Sequence, residues 1–240
     1  MDELIRLNKY LSEMGVCSRR AADAAIESGQ VLVDGQVAQM GQKVTGKECI
    51  VFSGKTVEKN KDDFVLIAFN KPKGIVCTAS KKDKNNIVDF INYPVRIYPV
   101  GRLDKDSHGL ILMTNQGDLV NKIMRASNHH EKEYVVRVNK EITKDFLNSM
   151  GKGVYLEDLE TTTRPCKIKK IEKFTFSIIL TQGLNRQIRR MCQALDYRVM
   201  DLKRIRIMNI HLDDLKEGQF RDVNEEELKL LYKMTEESRS

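Results

Sequence analysis

Tryptophan is absent from this chain of 240 residues, and proline and cysteine are scarce, with four and five residues. No stretch approaches 18 consecutive apolar residues, so the sequence predicts no transmembrane helix. The acidic opening Met1–Arg6 lacks the basic and then apolar pattern of a secretory signal. The cysteines are odd in number and scattered, without a C-x-x-C pair, which indicates reduced thiols rather than disulfides or zinc. We therefore expect a soluble, cytoplasmic protein.

Acidic side chains are too few to balance the basic ones. Lysine and arginine number 41 against 34 aspartates and glutamates, a formal net charge of +7. The densest basic segment is opposed only by Asp196 and Asp201, and it contains Arg186, Arg189, Arg190, Arg198, Lys203, Arg204 and Arg206. Such density favours a polyanionic partner. RNA is favoured over a membrane because no amphipathic helix with exposed Trp or Phe accompanies the charge.

The first 60 residues have the pattern of a small unit of two helices and a hairpin. A second helix is predicted after Ser18, which is a favourable N-cap residue, and Asp34-Gly35 predicts a tight hairpin turn. The polar segment Ser53–Asp63 lacks apolar periodicity and is predicted to be a linker. An apolar stripe at helical spacing predicts the first helix, which would end at Gly15: Leu4, Leu7, Leu11 and Met14.

This front unit resembles a known RNA-binding domain. Its similarity to the domain named after small-subunit ribosomal protein four lies in the run RLNKYLSEMGVCSRRAADAAIESGQVLVDGQV. The resemblance implies that residues 1–60 bind RNA and that Lys9, Arg19 and Arg20 contact phosphates. The alternative is that Arg19 and Arg20 only solvate a helix start. Arginine in that position opposes the helix dipole, which favours the functional interpretation.

Strands outnumber helices after the linker and alternate with them irregularly. This pattern predicts an α+β domain over residues 64–240, with a mixed, largely antiparallel sheet and flanking helices. Near the C-terminus, Asn224 and Glu227 make a plausible capping pair for a final helix. Two earlier helices are predicted at 115–125 and 186–195. Apolar runs bounded by turn residues predict strands at 64–69, 75–78, 97–100, 109–114, 134–138 and 174–180.

A charged loop lies between two of these apolar runs. It reads GRLDKDSHGL over residues 101–110 and is followed by the helix start TN-GDL. It resembles the signature loop of RNA pseudouridine synthases of the ribosomal small-subunit type. The resemblance implies that Asp104 is the catalytic residue. A uridine extruded from folded RNA would vacate the base stack, and Arg102 is the candidate to occupy or support the vacated position. Asp106 is the alternative acid, although with Ser107 it also suits a turn made by side-chain-to-backbone bonds.

Two further motifs resemble that family. The segment NKPKG at residues 70–74 is weak alone, and the resemblance implies an RNA contact for Lys71. The segment KEYVV at residues 132–136 implies that Tyr134 stacks on the target base. The alternative for Tyr134 is an ordinary core aromatic on a strand, with Val136 and Val138 on the same face.

The last two motifs supply a basic helix and a strand-like run. In QGLNRQIRRM at residues 182–191, the resemblance implies that Arg189 pairs with the catalytic aspartate and that Arg186 and Arg190 face RNA. A solvated helix face is the alternative, but three neighbouring arginines without an interleaved acid repel one another. In DLKRIRI at residues 201–207, the resemblance implies that Leu202 lines the pocket beneath the uracil.

Together the motifs most resemble the F-type branch of the family, which acts on large-subunit ribosomal RNA. The resemblance implies isomerisation of a specific uridine in structured RNA, a reaction that needs a carboxylate but no redox carrier, nucleotide or metal. We therefore expect no cofactor and no metal, and a monomer. Transfer RNA as sole or second substrate remains open, as does a noncatalytic RNA-binding ribosome-assembly factor. The presence of Asp104, Tyr134 and Arg189 together counts against the noncatalytic alternative.

Overall fold

The chain divides into two compact units in a computed structural model that describes residues 4–58, 64–125 and 128–237. The first unit comprises Met1–Phe64 with the short segments Pro94–Arg96 and Asn115–Gly117. The second unit comprises the remaining residues. Within the described ranges, no helix has both the length and the apolar character needed to cross a bilayer.

The first unit contains two short helices and two small sheets. One sheet has four strands in the order β3-β2-β5-β6, and the other pairs β1 with β4. Leu7, Leu11, Ala22 and Ile26 form its core with residues of β2 and β5. The elements are β1 Ile5–Arg6, α1 Leu7–Glu13, α2 Arg19–Glu27, β2 Val31–Val33, β3 Gln36–Val37, β4 Lys43–Val44, β5 Ile50–Phe52 and β6 Lys55–Thr56.

Local signals in this unit act largely as predicted. The Ser18 hydroxyl accepts a hydrogen bond from the backbone N–H of Ala21 at 3.1 Å and so caps α2. Asp34 and Gly35 have φ angles of 50° and 80°, the left-handed pair that a tight hairpin turn requires. The first helix begins later than predicted, at Leu7, and Leu4 is 58% exposed. The helix does not include the start of the apolar stripe, because Ile5–Arg6 forms a strand that pairs with β4.

The predicted linker begins too early. Lys55–Thr56 forms a strand that pairs with β5, and the turn before it contains Ser53 and Gly54 with φ angles of 47° and 78°. The polar composition of this segment reflects a two-residue hairpin turn, which favours small residues in left-handed conformations. The remainder of the predicted linker, residues 59–63, lies outside the described residues.

The second unit is built on a nine-stranded sheet. The C-terminal helix is capped as predicted, because the N–H of Glu227 donates to Asn224 Oδ1 at 2.9 Å and the N–H of Asn224 donates to Glu227 Oε2 at 3.0 Å. The elements are β7 Leu66–Lys71, α3 Ile87–Ile91, β8 Tyr98–Val100, β9 His108–Thr114, α4 Gly117–Met124, β10 Lys132–Val138, α5 Lys144–Lys152, β11 Tyr155–Leu156, β12 Thr161–Thr162, β13 Lys167–Glu172, β14 Thr175–Leu180, α6 Gln187–Ala194, β15 Val199–Ile207, β16 Ile210–His211, β17 Phe220–Asp222 and α7 Glu225–Glu237.

The main path of the sheet runs β13-β14-β10-β15-β9-β7-β17, with β16 beside β15 and β8 beside β9. Among the described strands of this sheet, β9 and β15 alone pair in parallel, through Lys203 with His108 and Arg204 with Gly109. The predicted α+β class with a mixed, largely antiparallel sheet is confirmed. The strand predicted at 75–78 is wrong, since Val76 makes only an isolated bridge to Asn86.

Gly109 allows the parallel pair to form. A Cβ atom at this position would lie 2.3 Å from the carbonyl oxygen of Arg204, and the φ angle of Gly109 is +101°. Neither the contact nor the backbone angle suits a side chain. The glycine therefore brings the start of β9, and the loop before it, against the middle of β15.

Two helices cover one face of the sheet at this end. Phe146 and Met150 of α5, with Ile188 and Met191 of α6, pack against buried side chains of the central strands. Those strand residues include Val136, Val138, Phe176, Ile178 and Leu202. The packing fixes the start of α6 close to the loop between β8 and β9.

Candidate active site

Residues 101–107, here the Asp104 loop, connect β8 to β9 and are held by hydrogen bonds from another turn. The N–H of Gly74 donates to the carbonyl of Lys105 at 2.8 Å. The N–H of Leu103 donates to the sulfur of Cys77 at 3.3 Å. Inside the loop, the N–H of Ser107 donates to the carbonyl of Asp104 at 3.1 Å. These bonds hold the loop in place, and its Asp104 lines a cavity.

The start of α6 presents a first arginine to this loop. Arg186 is the N-cap residue and adopts the left-handed region with φ 49° and ψ 33°, which is uncommon for a side-chain-bearing residue and frequent at functional sites. Its guanidinium donates to both carboxylate oxygens of Asp106, at 3.2 and 3.3 Å. Its Nη1 lies 3.6 Å from Asp104 Oδ2. Arg186 thus contacts both acids of the loop.

Arg189, one helical turn later, contacts the loop backbone. Its Nη2 donates to the carbonyl of Asp106 at 3.2 Å and to the Ser107 hydroxyl at 3.1 Å. Its Nε lies 3.9 Å from Asp104 Oδ2 and has no hydrogen-bond partner among the residues that the structure describes. The predicted pairing of Arg189 with Asp104 is therefore present as an ion pair, while the hydrogen bonds of Arg189 go to the neighbouring residues.

The two loop acids are in different surroundings. Asp104 lines the cavity, whereas Asp106 lies outside the described lining and its side chain is 50% exposed. Burial alone would raise the pKa of Asp106, but the hydrogen bond from Arg186 and the charges of Arg189 and Arg186 outweigh it and lower that pKa. Asp106 is thus a partner of the arginines, and Asp104 is the acid that faces the cavity.

The cavity has a volume of about 620 Å³, within the range of about 300–1,000 Å³ typical of small-molecule sites. Apolar side chains and charged ones share its wall. The apolar group includes Leu103, Tyr134, Leu180, Leu184, Ile188 and Leu202. The charged group includes Arg102, Asp104, Lys105, Lys132, Arg186, Arg189 and Arg204.

Tyr134 and Leu202 reach the cavity from adjacent strands. Tyr134 lies opposite Arg204, and Val136 lies opposite Leu202, in the antiparallel register of β10 and β15. Tyr134 is half-buried and also packs against the core, and Leu202 is 5% exposed. Both interpretations of Tyr134 thus describe part of its surroundings, since one aromatic ring touches the core and lines the cavity.

The predicted RNA-binding residues differ in accessibility. Arg19 and Arg20 are exposed in the first turn of α2, and Lys9 is half-buried with its ammonium 3.5 Å from Glu13. Arg102 is exposed at the cavity. Arg190 pairs with Asp158, and its Nε donates to the carbonyl of Asn185 at 3.0 Å. Arg190 is thus largely committed to contacts within the protein.

The prediction that Lys71 contacts RNA is wrong. Its side chain is fully buried, with 0% exposure, and its ammonium donates to the carbonyls of Pro72 and Ile75 at 2.8 and 2.9 Å. Burial lowers the pKa of Lys71, an effect that Cys77, Asp106 and Asp104 partly oppose. The lysine stabilises the turn that holds the Asp104 loop, and no phosphate can reach it.

Sequence reasoning missed two buried cations of the cavity wall and one cluster. Lys132 and Arg204 line the cavity beside Tyr134 and Leu202, and each lies two positions from a predicted residue on the same strand. Period-two alternation along β10 and β15 could have found both. In the missed cluster, Asp201 pairs with Lys73 and with Nε2 of His108, the latter at 3.1 Å. The cluster therefore connects β15 to the turn after β7 and to the end of the Asp104 loop.

Comparison with known proteins identifies the family to which this chain belongs. Residues 65–194 match the family described as RNA pseudouridylate synthase, and residues 5–48 match the S4 domain. The "Dual-specificity RNA pseudouridine synthase RluF" of Salmonella typhi is 52% identical over 240 residues, which cover 100% of this chain and 82% of that protein. The chain belongs to the RNA pseudouridine synthase family. It is an isomerase that converts uridine in RNA to pseudouridine.

Two more distant pseudouridine synthases agree over nearly the whole length. The "Ribosomal large subunit pseudouridine synthase B" of Bacillus subtilis (strain 168) is 36% identical over 233 residues, covering 94% of this chain and 95% of that protein. A solved structure described as "Crystal structure of pseudouridylate synthase" has a TM-score of 0.70 at 27% identity, covering 95% of this chain and 99% of that chain. The S4 match gives this pseudouridine synthase a recognised RNA-binding domain at its front.

Proposed function

We propose that this pseudouridine synthase modifies a uridine in large-subunit ribosomal RNA and accepts transfer RNA as a second substrate. The observation that carries the chemistry is one carboxylate, Asp104, which is the only acidic side chain among the described residues of the cavity wall and is held by two arginines. The relative from Salmonella typhi is named for dual specificity, and the relative from Bacillus subtilis is named for the large ribosomal subunit. These names support the substrate proposal.

In the proposed reaction the target base leaves the RNA stack and enters the cavity. Extrusion costs a few kcal/mol, and stacking on the Tyr134 ring would recover roughly 1–3 kcal/mol. Leu202 would lie beneath the uracil, and Arg102 would support the vacated stack. Asp104 would act as nucleophile or base when the bond between uracil N1 and ribose C1′ breaks and C5 is joined to C1′ instead. C5 then loses its proton to the solvent, and N1 takes up a proton.

Arg186 and Arg189 would orient the Asp104 carboxylate. Nη1 of Arg186 and Nε of Arg189 lie within ion-pair distance of its Oδ2, and Nη2 of Arg189 fixes the loop backbone next to it. Arg186 and Arg190 would also contact phosphates through the faces not used by Asp106 and Asp158. Backbone contacts of this kind set affinity and register rather than base identity.

We propose that residues 1–60 supply RNA affinity and that residues 64–240 perform the chemistry. The exposed side chains of Arg19 and Arg20, with Lys9, would bind phosphates on the first unit. All the residues proposed for the reaction lie in the second unit. We propose further that the enzyme is a monomer and works in the cytoplasm, where its cysteines would stay reduced. A noncatalytic assembly factor would not need the arrangement around Asp104.

Tritium release from RNA labelled at uracil C5 tests the activity and the proposed division of roles between residues 1–60 and residues 64–240. The full chain should release tritium from large-subunit ribosomal RNA, and a chain lacking residues 1–60 should do so only at higher RNA concentration. The shortened chain should also bind RNA with a smaller salt dependence, by about one unit of slope for each phosphate that it no longer binds. Full activity and an unchanged salt slope in a folded, shortened chain would remove the RNA-binding role from the first unit. No release by the full chain from ribosomal or transfer RNA would refute the substrate proposal.

A further inference from the structure

Two buried cations line the cavity, and neither has a carboxylate partner among the residues that the structure describes. Lys132 on β10 is 6% exposed and Arg204 on β15 is 1% exposed. Lys132 donates to the carbonyl of His130 at 3.2 Å, and Nε of Arg204 donates to the carbonyl of Leu110 at 2.7 Å. Nη2 of Arg204 is buried without a hydrogen-bond partner in the described parts of the chain.

The neighbouring arginines, in contrast, have carboxylate partners. Arg186 and Arg189 pair with the acids of the Asp104 loop, and Arg206 pairs with Glu131 and Glu133. For Lys132 and Arg204, by contrast, no carboxylate of the described residues lies within ion-pair distance. Burying an unpaired charge is costly, and proteins keep such groups chiefly where they have a function.

The environment of Lys132 indicates that its charge is poorly solvated. Burial, and after it the nearby charge of Arg204, lower the pKa of the Lys132 ammonium to about 8. At neutral pH the lysine is still mainly protonated and could donate hydrogen bonds into the cavity. An anion or a carbonyl oxygen in the cavity would offset the cost of burying the Lys132 charge. It would also offer an acceptor to Nη2 of Arg204.

The reaction produces such an anion. When the bond between N1 and C1′ breaks, its electron pair stays on N1 and is shared with the two carbonyl oxygens of the uracil. Fixed donors in a water-poor site stabilise developing negative charge far better than water does. Asp104 cannot supply this stabilisation, since it is itself negative.

We propose that Lys132 is a further catalytic residue, which donates a hydrogen bond to a carbonyl oxygen of the uracil and stabilises the detached base, with Arg204 as a positioning residue behind it. The inference rests on the proposed entry of the uracil into this cavity. Arg204 acts through its charge and through its bond to Leu110, which fixes β15 against β9. Lys132 lies two residues before Tyr134, so one strand presents the stacking ring and the hydrogen-bond donor to the same base.

A leaving-group comparison tests this role. Single-turnover rates at saturating RNA would be measured with uridine or 5-fluorouridine at the target position, as loss of the starting nucleoside. Lys132→Met should slow the uridine substrate by about 10²- to 10³-fold with RNA binding unchanged. The loss on 5-fluorouridine should be about tenfold smaller, because fluorine already stabilises the uracil anion. Lys169→Met, on the exposed strand β13, is the matched control with wild-type rates.

The outcomes separate a catalytic role from a structural one. Lys132→Gln is the second variant and serves if the Met variant does not fold. Its amide can still donate to the His130 carbonyl. Like Lys132→Met, it should lose less activity on 5-fluorouridine than on uridine. Equal losses on both substrates in folded variants, or wild-type rates in either one, would overturn the proposal. Failure of the wild-type chain to convert either substrate would instead refute the proposed function.

Discussion

Asp104→Asn is expected to abolish tritium release from RNA labelled at uracil C5, with a loss of about 10⁴-fold or more. Asparagine keeps the shape of the side chain but can serve neither as nucleophile nor as base. RNA binding should change little, because the exposed basic residues that would contact phosphates are untouched. The loss should therefore appear in the single-turnover rate at saturating RNA and not in the dissociation constant.

Asp214→Asn is the matched control, since Asp214 is exposed and does not line the cavity. Asp106→Asn is a less neutral comparison, because Asp106 accepts two hydrogen bonds from Arg186, and it should retain measurable turnover. Near-normal turnover by Asp104→Asn, or complete loss in Asp106→Asn alone, would show that the wrong carboxylate has been chosen.

Arg189→Met should produce the second large effect, a loss of about 10²- to 10³-fold in the single-turnover rate. The side chain is 15% exposed, and its Nη2 donates hydrogen bonds to the Asp106 carbonyl and the Ser107 hydroxyl. Methionine fills the space but removes the charge and both bonds. Arg189→Lys should recover little of the rate, because one ammonium cannot reproduce the guanidinium fork.

Arg198→Met tests whether any arginine of this basic segment would give the same result. Arg198 is exposed and lies beyond the C-terminal end of α6, so its loss should leave the rate unchanged. If Arg189→Met weakened RNA binding as its main effect and left the saturated rate intact, Arg189 would be an RNA contact rather than the partner of Asp104.

Short motifs were sufficient to predict which loop, strand and helix meet at the cavity. The Asp104 loop, the strand of Tyr134 and the helix of Arg189 are each contiguous in sequence, so their local patterns carried the information. Their convergence depends on pairings between distant residues, such as Tyr134 with Arg204 and Arg204 with Gly109. One sequence contains no direct signal for such pairings. Alternation along β10 and β15 could place Lys132 and Arg204 on the faces of Tyr134 and Leu202, but it could not show that the two faces line one cavity.

Lys71 shows why a residue type alone does not predict accessibility. In the segment NKPKG a lysine next to proline and glycine suggests an exposed turn. The turn instead folds around its own lysine, so that the carbonyls of Pro72 and Ile75 take the place of water at the ammonium. A lysine in solvent and a lysine satisfied by nearby carbonyls have the same sequence pattern, and only the three-dimensional path of the backbone distinguishes them.

Mapping pseudouridine across total RNA tests the central claim most directly. The comparison needs cells that lack this protein, complemented with the wild-type chain or with Asp104→Asn. The account predicts that at least one position in large-subunit ribosomal RNA loses its pseudouridine, that the wild-type chain restores it and that Asp104→Asn does not; a transfer RNA position should behave in the same way. An unchanged map in the deficient cells, or equal restoration by Asp104→Asn, would contradict the account.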